Sequence, residues 1–262
     1  MTIENKDYQP KDLIMDLMRV VAPDSLNIKV LIGIGTLFGF NANQMRVAVT
    51  RLCQSQQLTC HERGSYELGD LGQASRLFSR DWQLGEDRLR SWDGFWYMVA
   101  IPPALERSRH RRALQALHHT GFRQGLRSLF VRPANLWLST EPLRDRLHRL
   151  GLDESCQVWK AGDISPNLGH EWQGLWNAEG WEAGHHSARQ QLELSLANLR
   201  RLSLEDQLRE TLFLGRESIR LLVTDPLLPQ AIAQGVERQL HTAVIQAYEE
   251  PARKLWLNKL QN

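Results

Sequence analysis

The stretch Asn41-Ala42-Asn43-Gln44-Met45-Arg46-Val47-Ala48-Val49-Thr50-Arg51-Leu52 decides how the first third of this chain is read. An asparagine side chain caps free backbone N–H groups, and a glutamine three positions later reaches back to the cap, so Asn41 and Gln44 mark a helix start. Met45, Ala48, Val49 and Leu52 then recur at i, i+3, i+4 and i+7, the spacing of one buried stripe. Asn43, Gln44, Arg46, Val47, Thr50 and Arg51 fall on the opposite side. Upstream, Leu13, Ile14, Leu17, Met18 and Val21 keep helical spacing until Pro23-Asp24 ends them. A second helix follows from about Asn27, with Val30, Leu31 and Ile34 apolar and Gly39 as its stop. Downstream, Leu58–Glu62 and Ser65–Leu68 read as two short strands around a tight Arg63-Gly64 turn, and a helix over 71–80 closes the segment.

Three helices followed by a hairpin is the order of a winged helix-turn-helix. Such a module sends Arg, Asn, Gln and Thr from one helix face to base edges and phosphates in a major groove, while the hairpin tip meets the neighbouring backbone. Asn43, Gln44, Arg46, Thr50, Arg51 and Arg63 are therefore the candidate DNA-binding residues. The same pattern allows a small helical domain with a solvated third helix; the element order and exposed chemistry favour DNA. Arg46 and Arg51, five residues apart, point roughly 140° apart around the helix and do not address the same base.

The middle of the chain reads differently. An aromatic and β-branched run over 91–101 predicts a buried strand, stopped by Pro102-Pro103. A helix over 105–119, strand-like stretches around 125–132, a helix over 141–150 and a strand over 156–161 complete a β-α-β-β-α-β pattern, that of a ferredoxin-like domain. From about Asn167 the chain is helical and leucine-rich, with a long helix over 205–223 halted at Asp225-Pro226. The expectation is an α+β protein of three domains: 1–87, 88–165 and a helical 166–262 carrying dimerisation and effector response.

Charge follows these boundaries. Residues 1–87 hold 9 basic against 11 acidic side chains; 88–152 hold 12 arginines against 4 acidic residues; 153–262 hold 11 against 15. The arginine-rich middle suggests a phosphate-facing surface. Within it, Arg107-Ser108-Arg109-His110-Arg111-Arg112 is the densest basic run, readable as a solvated helix face, an accessory phosphate surface or a seat for an anionic ligand. Arg109 and Arg112 are candidate effector-binding residues on the last reading. Arg216 and Arg220, one helical turn apart before Asp225, are two more.

Several chemistries find no support. Cys53, Cys60 and Cys156 are odd in number and lack metal spacing, as expected of reduced thiols in a cytoplasmic protein. No apolar run is long enough to span a membrane, and the polar start does not resemble a signal peptide. The pairs His118-His119 and His185-His186 have no second ligand at metal spacing, so no metal or other cofactor is expected. Trp92 and Trp96 are read as core, with ligand stacking as the alternative. The middle domain also resembles the ferredoxin-like CRISPR-associated integration proteins, which hold an acidic residue at the end of their first strand. Here that end is Ala100-Ile101-Pro102-Pro103, with no carboxylate before Glu106. A metal-dependent nuclease therefore lacks an obvious ligand, and no enzyme is expected.

Three short motifs in order make the chain resemble the phenylacetate-degradation repressor family, the PaaX-like regulators. Met45 to Leu52 is similar to that family's Val-Arg-Thr-Ala-x-x-Arg-Leu recognition helix; Trp92-Asp93-Gly94-Phe95-Trp96 matches its Trp-Asp-Gly-x-Trp; Asp225-Pro226-Leu227-Leu228-Pro229 is similar to its Asp-Pro-x-Leu-Pro. The resemblance implies a homodimeric repressor released from its operator by an aryl-acyl-CoA, and it aligns Arg46 and Arg51 with the two recognition-helix arginines and Arg63 with the wing tip. The chain departs from the pattern in three places. Its wing offers one arginine, Ser218-Ile219 replaces an aromatic-Arg pair, and no Trp-Gly follows Gln230. A regulator that activates, or that needs no ligand, is the runner-up.

Overall fold

The computed structural model describes residues 8–21 and 25–261. In chain order its elements are α1 (Pro10–Val21), β1 (Leu26–Asn27), α2 (Ile28–Leu37), α3 (Ala42–Gln54), β2 (Leu58–Glu62), β3 (Ser65–Leu68) and α4 (Asp70–Arg80). There follow β4 (Trp96–Ala100), α5 (Arg107–His119), β5 (Arg123–Leu126), β6 (Leu129–Pro133), α6 (Thr140–Arg149) and β7 (Gln157–Ala161). Four helices end the chain: α7 (Pro166–Gln173), α8 (Ala178–Asn198), α9 (Leu204–Thr224) and α10 (Val236–Gln261). Helices and two small antiparallel sheets make an α+β protein. No helix among the described residues is long and apolar enough to cross a membrane.

The chain packs as two units, each drawn from separate stretches: the described parts of 1–83, 188–219 and 243–262 form one, and 84–187 with 220–242 form the other. This differs from the expected division at 87 and 165. Residues 166–262 are not a third body, because α8, α9 and α10 each have one end in each unit. The reason lies in where their apolar side chains go. Leu208, Leu212, Phe213 and Trp256 complete the first unit's core, whereas Leu227 and Leu228 fill the second.

In the first unit α1, α2 and α3 close over Leu13, Leu17, Leu31, Ile34, Met45, Val49 and Leu52. Asn27 caps α2 by accepting from Lys29 N at 2.9 Å, and the helix stops where Gly39 takes φ 79°. Pro23 and Asp24, expected to end α1, lie outside the described residues. Strands β2 and β3 keep the predicted bounds, and β3 also pairs with β1, a two-residue strand too short for periodicity to announce, giving the order β1-β3-β2. Phe213 of α9 meets Tyr8 edge-on at 4.9 Å and Phe38 at 5.6 Å, so the late helices are part of this core.

The second unit is built on a four-stranded antiparallel sheet of order β5-β6-β4-β7. Its central strand β4 is covered on both faces, which is why its sequence reads as a continuous apolar run. Tyr97 and Val99 pack under α5 and α6 with Ala113, Leu117, Leu143 and Leu147. Trp96 and Met98 face Trp172, Trp176 and Leu228. The strand expected over 91–101 is shorter, because Asp93-Gly94 makes a turn instead: Asp93 Oδ1 accepts from Phe95 N, and Gly94 sits at φ 83°. Trp96 is 2% exposed and stacks at 6.3 Å on Trp176, so it is core, as read from the sequence.

Candidate functional site

Helix α3 is fastened at its start. Asn41 Oδ1 accepts from Gln44 N at 2.9 Å while Gln44 Oε1 accepts from Asn41 N at 2.8 Å, so the reciprocal cap inferred from the sequence is formed. Met45, Ala48, Val49 and Leu52 are buried; Asn43, Gln44, Arg46, Val47, Thr50 and Arg51 are all exposed. The polar members are not equally available. Gln44 spends its carbonyl on the cap, and Thr50 donates its hydroxyl to Arg46 O at 3.0 Å. Asn43, Arg46 and Arg51 make no side-chain hydrogen bond or ion pair among the described residues.

Arg63 is exposed at the β2–β3 turn, where Gly64 adopts φ 83°. Ile28 N donates to Gly64 O at 2.8 Å, which ties the turn to the first residue of α2. A turn tip whose arginine has no side-chain partner among the described residues is thus held by the same unit that carries α3. Exposed guanidiniums with no carboxylate partner suit phosphate oxygens or guanine O6/N7, and a capped helix holds them in register.

Of the four arginines expected at an anionic effector, Arg109 and Arg216 already hold carboxylates of this chain. Arg216 bonds to Asp16 of α1 at 3.2 Å, lies 3.8 Å from Asp12 and sits 4.8 Å over the Tyr8 ring. These contacts occupy the Arg216 guanidinium, while burial pushes the Asp16 carboxyl above its usual range against the opposing Arg216 charge. Arg109 is paired with Asp153 across the second unit. Arg112 and Arg220 remain exposed. Glu106, the nearest carboxylate to the end of β4, caps α5 by accepting from Ser108 N and Arg109 N.

The second unit holds a largely buried ionic cluster that no local sequence pattern announces. His185 Nε2 donates to Asp225 Oδ2 at 2.6 Å, and His185 Nδ1 lies 3.0 Å from His241 Nδ1. Arg238 reaches Asp225 at 3.4 Å and grips both oxygens of Glu86 at 3.0 Å. Burial raises the Asp225 carboxyl, but the His185 hydrogen bond and the Arg238 charge outweigh it and hold the group below its usual range. The Asp225-Pro226 helix stop is also the meeting point of this cluster with the sheet. Arg132 of β6 donates to Pro226 O at 3.1 Å, and Asn135 donates to Leu227 O at 2.8 Å. Leu227, at φ 53°, is held in a left-handed conformation by those bonds and by the Leu227 N to Asp225 Oδ1 bond of 2.6 Å. A carboxylate followed by proline signals the stop; nothing local signals a partner forty residues earlier.

No protein-family model matches this chain, and no curated protein does. Among solved structures, the uncharacterized protein Rv0674 from Mycobacterium tuberculosis is similar over 97% of each chain, with a TM-score of 0.61 and 19% identity. That likeness is one of fold, spanning both units.

Proposed function

We propose that this chain is a DNA-binding transcriptional regulator of the phenylacetate-degradation repressor type. The observation that carries the reading is the outward face of α3, where Asn43, Arg46 and Arg51 stand exposed on a capped helix and without side-chain partners among the described residues. The helix order α1-α2-α3, with β3 joined to both β1 and β2, supports a winged helix-turn-helix. The order β5-β6-β4-β7, antiparallel throughout with a helix on each crossover, supports a ferredoxin-like domain in the second unit. Arg63 then serves as the wing contact, and Gln44 and Thr50 play the smaller part that their local bonds leave them.

As a homodimer the protein would set two copies of α3 on half-sites roughly 34 Å apart or a multiple of it. Selection of duplexes from a random library by the full chain tests the reading: an enriched motif with two related halves supports it, and binding without sequence preference overturns it. Release by an aryl-acyl-CoA rests on the family resemblance. Any such effector must bind the non-operator conformation more tightly. Titrating the bound duplex with a panel of acyl-CoA thioesters tests this separately, since a flat response removes the effector and leaves DNA recognition standing. Repression is the direction that the resemblance favours, and a reporter driven by the selected site decides it.

A further inference from the structure

Val47 occupies the centre of the outward face of α3, and it is the one residue there that cannot form a hydrogen bond. It lies roughly 200° around the helix from the buried Met45, on the same outward row as Asn43 and Thr50. It is 41% exposed, with Asn43 one turn before it and Thr50 and Arg51 one turn after, all exposed. Val47 is not among the described residues that form the first unit's core, and a β-branched side chain is a poorer helix former than alanine. Scattered exposed apolar residues are ordinary; this one sits amid the charged and amide groups that form the candidate reading surface.

When a helix enters a major groove, its outermost row goes deepest and its flanks meet the backbone. Arg46 on one side and Arg51 on the other reach outward from that row. The centre faces base edges, where the only apolar mark is the C5-methyl of thymine. We infer that Val47 is a specificity-determining residue that takes a thymine methyl group in each half-site. The inference rests on the DNA-binding reading of α3 and narrows it, because it names a base that the arginines, suited to guanine or phosphate, do not read.

The test uses the full chain and the duplex that selection enriches, with each thymine replaced singly by deoxyuridine, which removes the methyl and keeps every hydrogen-bonding group. One position per half-site should lose affinity roughly fourfold, the effect of leaving one methyl group in water. Val47→Ala, which shortens the side chain at an exposed site, should bind the thymine duplex more weakly and be indifferent to that replacement. If no thymine matters to the unaltered protein, or if Val47→Ala retains the same sensitivity, the inference fails while DNA recognition stands. If selection yields no preferred duplex, the DNA reading falls and takes this inference with it.

Discussion

His185 and Asp225 share a 2.6 Å hydrogen bond with both side chains almost wholly out of solvent, and that bond connects α8 to the residue directly after α9. The sequence shows His185 in a histidine pair and Asp225 before a proline but nothing that joins them, and together with Arg238 and Glu86 they hold the turn that begins Asp225-Pro226. A carboxylate so placed has stability consequences that can be measured.

Asp225 is held below its ordinary pKa, so its contribution is complete above the unfolded value of about 4 and is lost as pH falls through the lower folded value. Thermal melts should therefore lose stability below about pH 4, and Asp225→Asn should flatten part of that acid slope. At neutral pH the same substitution should cost on the order of 3 kcal/mol, because it leaves Arg238 and His185 facing a neutral group. An unchanged melting temperature at pH 7 would show that the cluster holds nothing together.

Arg46→Ala and Arg51→Ala should each weaken binding of the selected duplex by about tenfold or more, with folding stability altered by no more than about 0.5 kcal/mol. The variant that loses discrimination between bases has lost a base contact; the one that weakens all duplexes and shallows the salt dependence has lost a phosphate contact. Full affinity in both at moderate salt would mean that α3 is not the reading helix.

Asn41→Ala removes one half of the reciprocal cap and should cost about 1 kcal/mol in denaturant unfolding. Because α3 carries the candidate contacts, a fraction of its DNA affinity should go as well. Asn41→Asp, which can still accept from Gln44 N, should restore most of both.

Arg216 separates a structural role from a ligand role. Arg216→Met strands Asp16 in a mostly buried position without its cation and should destabilise the first unit by about 2 to 4 kcal/mol. Were Arg216 instead an effector contact, the variant would melt like the parent and lose only its response to an acyl-CoA. Differential scanning calorimetry alongside the titration distinguishes the two outcomes.

Local signals carried a large part of the fold. Asn41 and Gln44, the stripe Met45-Ala48-Val49-Leu52 and the Arg63-Gly64 turn each act within a few residues, and each appears in the structure where the pattern puts it. The β-α-β-β-α-β order was legible for the same reason, although the first strand is cut short by the Asp93-Gly94 turn. The candidate site was only half legible. Exposure of Arg46 and Arg51 follows from helical phase, whereas the pairing of Arg216 with Asp16, two hundred positions away, has no local trace.

The sequence by itself determined which faces of α3 turn inward and outward, where that helix begins, and which strands alternate with which helices, because propensity, capping and periodicity are short-range. Only the tertiary structure decided that the last hundred residues are divided between two units, that Arg216 and Arg109 have their anions already, and that Asp225 meets His185 and Arg238. Those are choices among distant partners, made by burial of charge and apolar surface when the whole chain packs, and no window of neighbouring residues contains them.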